Sequence, residues 1–191
     1  MLWNTEADLL GGIQALAQKQ SRVLVAIDGR CGSGKTTLAN ELGARYGWAV
    51  VHLDDFFLRP EQRTEARYAA PGENVDHERF LEEVLLPLRD GKAARYHPFD
   101  CKAQRLSEAE KIIAPARVTI IEGSYSCHPA LWDFYDLRAF LSVERGEQLR
   151  RIERRSGGEK LAAFREKWIP LEERYFEAFR IERRCEYRLL R

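Results

Sequence analysis

The sequence predicts an α/β fold built on a doubly wound parallel sheet of five strands with a helical lid. Three observations carry this expectation. Short, β-prone apolar runs alternate with stretches of helical spacing. The first run, Val23 to Ile27, is unbroken by polar residues, as expected for a strand covered on both faces. The first run leads into the glycine-rich segment Gly29-Arg30-Cys31-Gly32-Ser33-Gly34-Lys35-Thr36, which opens a helix and makes the fold that of a P-loop NTPase.

Taken in order, Leu9, Leu10, Ile13, Leu16 and Ala17 recur at helical spacing, so residues 1–21 read as an amphipathic helix weakened by Gly11-Gly12. Val23-Leu24-Val25-Ala26-Ile27 is the first buried strand, and residues 35–46 the helix after the glycine-rich turn. Further strands are expected at 49–53, 118–121, 139–143 and, as a short last one, 187–190. Helical stretches are expected at 76–89, 107–114, 129–134 and 147–155, with a longer one over 159–184 interrupted at Pro170. The polar segment 59–74, with Pro60, Pro71 and Gly72, reads as a loop near the ligand. A chain of 191 residues is one domain, here with an acceptor-binding insertion over 59–114 and a lid region over 145–170.

Composition excludes several classes. With 45% hydrophobic residues the chain can bury a core and is not disordered. Lys and Arg total 31 against 30 Asp and Glu, so a net charge of +1 gives no general attraction to nucleic acid or anionic lipid. Charge is nevertheless uneven, with 14 Lys and Arg against 9 Glu between residues 145 and 191. That pattern fits a solvated helix with paired charges, or an arginine-rich surface for an anionic ligand. No apolar run approaches the roughly 18 to 20 residues of a membrane span. The start of the chain does not read as a signal peptide. Cys31, Cys101, Cys127 and Cys185 form no CxxC or metal-finger spacing, so reduced thiols in a cytoplasmic protein are expected.

Four motifs carry chemistry. In the glycine-rich loop, Gly29 to Thr37 would cradle phosphates with backbone N–H groups and the positive end of a helix. Lys35 would reach the β- and γ-phosphates, and the Thr36 hydroxyl would ligate Mg²⁺. Asp54-Asp55-Phe56-Phe57 follows the second strand, where a carboxylate at the ligand edge of the sheet could take a proton from an attacking hydroxyl. Glu122, ending the strand Ile120-Ile121, has the Walker B position for holding Mg²⁺ or its water shell. Arg150, Arg151, Arg154 and Arg155, before a Ser156-Gly157-Gly158 hinge, suit a lid that closes on phosphates; at least two of the four are expected to be surface charges only.

Together the loop, the Asp54-Asp55-Phe56-Phe57 motif and the Glu122-Gly123 strand end resemble the uridine kinase, phosphoribulokinase and pantothenate kinase group, in order and in spacing. Asp76-His77 resembles the Asp-His-Pro of uridine kinases, where the aspartate holds ribose hydroxyls. Pro98-Phe99-Asp100 resembles their Pro-x-Tyr-Asp, where the aromatic packs on the base. The run from Arg150 to Arg155 resembles their lid, and Trp168-Ile169-Pro170 their late helix. The resemblance spans about residues 22–190 and leaves the first helix outside it. It implies an ATP- and Mg²⁺-dependent kinase with Asp54 as catalytic base and Lys35, Arg151 and Arg154 assisting transfer. It also implies an acceptor pocket formed by Asp54, Phe56, Asp76, Phe99 and Arg150, taking a nucleoside of the uridine or cytidine kind or a related hydroxyl compound. Three departures fall on base recognition: Phe99 lacks the tyrosine hydroxyl, Cys101-Lys102-Ala103-Gln104-Arg105 has no matching histidine, and Glu78 replaces the proline after Asp76-His77.

Two other classes stay open on the residues alone. A nucleotide hydrolase or GTPase-like switch would call for a guanine-reading Asn-Lys-x-Asp and a water-positioning glutamine after the Walker B strand, and neither occurs. A non-catalytic nucleotide-binding module has only the arginine-rich last quarter in its favour. Neither nucleic acid nor membrane is expected as a partner; a homo-oligomer is compatible with the sequence.

Overall fold

The computed structural model describes residues 3–191. The central strand β1 (Val23–Gly29) sends alternate side chains into two apolar layers, so all seven of its residues are buried. Val23, Val25 and Ile27 meet Leu9 and Ile13 of α1 (Glu6–Lys19) and Leu38 and Leu42 of α2 (Lys35–Tyr46). Leu24 and Ala26 face the other layer, with Phe56, Phe80, Val84, Phe140 and Tyr175.

The remaining strands are β2 (Ala49–His52), β3 (Ala94–Tyr96), β4 (Phe99–Asp100), β5 (Arg105–Leu106), β6 (Lys111–Ile113), β7 (Val118–Glu122), β8 (Leu137–Ser142) and β9 (Tyr187–Leu190). Five of them form one sheet in the order β2-β7-β1-β8-β9, every pair parallel. All five expected sheet strands are present, and their C-terminal ends meet along one edge, where a doubly wound sheet binds its ligands. Gly29 ends β1 with φ 136, and a Cβ there would lie 2.0 Å from the Leu141 carbonyl oxygen, so only glycine lets β1 pass β8 into the loop.

The helices after α2 are α3 (Glu65–Ala69), α4 (His77–Phe80), α5 (Leu86–Arg89), α6 (Arg145–Ser156), α7 (Gly158–Ala163), α8 (Ile169–Phe179) and α9 (Ile181–Arg184). Several local expectations are corrected. The stretch 107–114 is not helical: Lys111–Ile113 is strand β6, antiparallel to β3, because its β-branched pair pleats readily against Ala94 and Tyr96. Residues 129–134 make only turns and a single 3₁₀ turn, Trp132–Phe134. The loop 59–74 contains the 3₁₀ turn Pro60–Gln62 and helix α3, whose N-cap Thr64 accepts the Arg67 N–H. The long last helix does not break at Pro170. A π-helical turn, Phe164–Trp168, absorbs the missing N–H, and the break comes at Arg180, with φ 53.

Candidate active site

The glycine-rich loop joins β1 to α2, and its helix begins with Gly34 as N-cap and no side-chain cap. The first-turn N–H groups of α2 are therefore left for a ligand, beside the positive end of a 12-residue helix. Lys35 is buried and donates to the carbonyls of Gly29 at 2.7 Å and Arg30 at 3.0 Å, so its ammonium is held over the loop. Thr36 donates to Glu122 Oε2 at 3.0 Å, joining the loop to the end of β7. The other oxygen, Oε1, lies 2.6 Å from His52 Nδ1, and this hydrogen bond raises the imidazole pKa above its ordinary value.

Asp54 follows β2 in a 3₁₀ turn, Leu53–Phe56. It is exposed at the cavity wall, yet the surrounding walls desolvate its carboxylate enough to raise its pKa. Lys35 and Arg155 offset part of that rise, while the charges of Glu122 and Glu172 add to it. Gly123 permits the approach of this turn to β7: a Cβ there would lie 3.0 Å from Leu53 Cβ and 3.4 Å from Asp54 Oδ1. The second aspartate differs in kind, since Asp55 accepts from Tyr96 Oη at 2.9 Å and Lys111 Nζ at 2.7 Å. It ties the turn to the β3–β6 hairpin.

These groups open onto one cavity of about 1440 Å³. Cys31 to Thr37, Asp54, Glu122, Arg151, Arg154 and Arg155 all line it. Arg151 is braced by Glu147 at 2.7 Å and donates to the Gly32 carbonyl at 3.3 Å. Four residues assigned to the acceptor do not line the cavity. Phe56 is fully buried in the core, edge-on to Phe80. Phe99 is buried with the Arg63 guanidinium 5.3 Å from its ring centre. Arg150 is a surface residue paired with Glu147. Asp76 caps α4 through the Arg79 N–H at 3.3 Å, and its second oxygen lies between Arg59 and Arg79 at 3.5 and 3.6 Å. Arg30 also turns away from the loop, into a two-point contact with Glu173 at 2.7 and 3.0 Å.

The cavity is lined in addition by Phe57, Leu58, Arg63, Tyr68, Asn74 and Tyr125. Sequence reading also missed three supports of the loop. Asp28 is fully buried and accepts from the N–H groups of Gly29, Tyr125 and Cys127 and from the Tyr175 hydroxyl, at 2.7 to 3.1 Å. Burial still raises its pKa to about 6. Glu172 of α8 accepts from the Cys31 N–H at 3.0 Å and the Ser124 hydroxyl at 2.7 Å. His52 belongs to the same class: it stands beside Glu122 only because β2 pairs with β7. The strand-end position of Asp28 and His52 is the one signal that could have marked them.

Glu73, His77 and His128 form a second cluster of polar side chains. His77 Nε2 is 3.1 Å from both Glu73 oxygens, and its ring stacks on His128 at 4.1 Å. His128 Nδ1 accepts the Ala130 N–H, which leaves the proton on Nε2, facing Glu73. That tautomer, and two nearly parallel rings that cannot aim at one point, make the cluster a clamp rather than a metal centre. Burial drives the His128 pKa down to about 3.

The uridine kinase of Ureaplasma urealyticum serovar 10 is 29% identical over 146 residues, spanning 70% of this chain and 69% of that protein. The fold also matches a possible uridine kinase from Bacillus stearothermophilus, with TM-score 0.67, 18% identity and 95% and 99% of the two chains covered. The chain is related to the uridine kinase-like P-loop kinases and shares their fold. At that level it is a kinase. A structure from Silicibacter sp. TM1040, described as a fructose transport system kinase, is 26% identical with TM-score 0.66, over 89% and 94% of the chains. No family model matches the sequence.

Proposed function

We propose that the chain is an ATP-dependent kinase that transfers the γ-phosphoryl group to a hydroxyl of a nucleoside or a related ribose-like or sugar acceptor. One observation carries this reading: Lys35, the uncapped start of α2, the Thr36–Glu122 pair and Asp54 all face a single cavity. At about 1440 Å³ that cavity exceeds the roughly 300–1,000 Å³ of a one-ligand pocket, so a nucleotide and an acceptor fit together.

Asp54 takes the proton of the acceptor hydroxyl as it attacks. The raised pKa brings this base nearer the working pH, where a general base is most effective. Lys35 leaves its two carbonyl partners to follow the transferring charge, and Arg151, Arg154 and Arg155 close over it from the lid. Most of the rate comes from such positioning and electrostatics, since the transition state is loose. The Thr36 hydroxyl and Glu122 carboxylate, 3.0 Å apart, are hard oxygen donors of the kind Mg²⁺ takes. Mg²⁺ held by these two groups would offset the negative charge of the phosphates. His52 engages Glu122 Oε1, which leaves Oε2 to face the Thr36 hydroxyl.

A panel of uridine, cytidine, deoxynucleosides, hexoses and no acceptor tests the reading through ADP release. Acceptor-dependent ADP with a phosphorylated acceptor supports it. Turnover at the same rate without acceptor supports a hydrolase, and no turnover with retained ATP binding supports a binding module.

A further inference from the structure

The helix α1 stands apart from every motif, yet its first residue reaches the nucleotide loop. Residues at its start are fixed to β9 by backbone-type bonds: the Asn4 N–H donates to the Arg188 carbonyl at 2.7 Å, and Asn4 Oδ1 accepts the Arg188 N–H at 2.9 Å. Gly12 lets the helix lie close, since a Cβ there would meet the Tyr187 hydroxyl at 2.1 Å. This docking brings Glu6 to the sheet edge where β9 ends. There Glu6 Oε1 lies 2.8 Å from Arg191 Nε, and Arg191 Nη1 donates to the Gly34 carbonyl at 3.0 Å. The Arg191 backbone N–H donates to the Ser142 carbonyl, so the residue is anchored at both ends. Glu6, Gly34 and Arg191 all line the cavity.

Sheet order places this contact on the nucleotide side. Asp54 follows β2 at one edge, and β9 is the opposite edge. A nucleotide whose γ-phosphate faces Asp54 extends toward β9.

We propose that Arg191, held by Glu6, is a positioning residue for nucleotide binding, and that α1 belongs to the nucleotide site rather than only to the core. This rests on the reading that nucleotide phosphates occupy the glycine-rich loop. In a trans peptide the C=O and N–H point in opposite directions. Fixing the Gly34 carbonyl therefore aims the Lys35 N–H into the phosphate cradle. Gly34, at φ 93, has the freedom to let this peptide turn over, which would present a carbonyl to the phosphates instead. The Leu38 N–H holds the same carbonyl at 3.0 Å, and Arg191 supplies a second, charged donor. Glu6 keeps the guanidinium there and limits its swing toward Glu41, 3.8 Å from Nη2.

Calorimetric binding of ATP and of inorganic tripolyphosphate, independent of acceptor turnover, tests the relay. Arg191→Ala is expected to weaken both ligands about tenfold, and Arg191→Lys by less, because an ammonium can still donate to Gly34. Glu6→Gln is expected to weaken them about threefold, and to add nothing in the Arg191→Ala background. Ile13→Val, which loosens α1 packing away from the site, should lower Tm with both affinities unchanged. The inference is overturned if Arg191→Ala binds both ligands within twofold of wild type, if only ATP and not tripolyphosphate weakens, or if Ile13→Val reproduces the loss. A wild-type protein that binds neither ligand overturns the kinase reading itself, and the relay with it.

Discussion

Replacing Asp54 with Asn removes one carboxylate oxygen's charge from the cavity wall and nothing from the core. As general base, Asp54 is expected to supply about 10² to 10⁴-fold in rate, or about 2.7 to 5.4 kcal/mol of barrier. Stability should move the other way. Burial, then the charges of Glu122 and Glu172, raise the Asp54 pKa above its ordinary 3.8, with Lys35 and Arg155 offsetting only part. Between that value and the higher folded one, the native protein holds more proton than the unfolded chain. Stability therefore falls as pH rises through that window, and the ionised form remains a burden above it. Asp54→Asn removes the burden, so its Tm at pH 7 should equal or exceed wild type, with the gap closing as pH approaches 3.8. The acid limb of the wild-type kcat profile should lie above 3.8 and vanish in the variant. Coupled ADP release and thermal melts read both effects. A folded variant that keeps more than a tenth of the rate refutes the base assignment, and a Tm several degrees lower would make Asp54 a structural residue.

Two further outcomes follow from the same geometry. Asp76→Ala should lower stability by about 2 to 4 kcal/mol in urea unfolding, by losing the α4 cap and leaving Arg79 without its buried counter-charge; the ranking of acceptors should not change, and a change would return Asp76 to the acceptor site. His128 stays neutral in the native protein down to a pKa of about 3, while the unfolded chain takes a proton near 6.5. The unfolded state then binds more protons, so stability falls by about 1.4 kcal/mol per pH unit below 6.5. His52, with its pKa raised by Glu122, acts in the opposite sense, so the measure is the difference between wild type and His128→Asn at pH 7 and 5.5. An unaltered slope in the variant would remove His128 as the cause.

Much of the fold was legible because local chemistry determined it. The strands of the sheet centre on apolar β-prone residues, and the loop from Gly29 to Thr36 carries its own backbone requirement. Asp54, Lys35, Thr36 and Glu122 are legible as candidates because each sits at or just after a strand end or at a helix start, positions that parallel topology brings to one cavity. The segment 107–114 was misread because a short stretch has no periodicity of its own. Its pairing with β3 is a long-range choice.

Side-chain direction was not legible, and that is where tertiary structure decided. Asp76 and Phe99 lie in segments that suggested an acceptor pocket, but Asp76 packs against Arg59 and its helix neighbour Arg79, and Phe99 against Arg63 from a distant loop, and neither lines the cavity. Asp28 and His52 gained their roles only when β1, β2, β7 and α8 came together, because their partners are distant in sequence. Glu6 and Arg191 are 185 positions apart and meet only through the docking of α1 on β9. Sequence sets which backbone can cradle a phosphate and which carboxylate ends a strand. Which charges neutralise one another, and which remain free to meet a ligand, depends on separations that exist only in the folded chain.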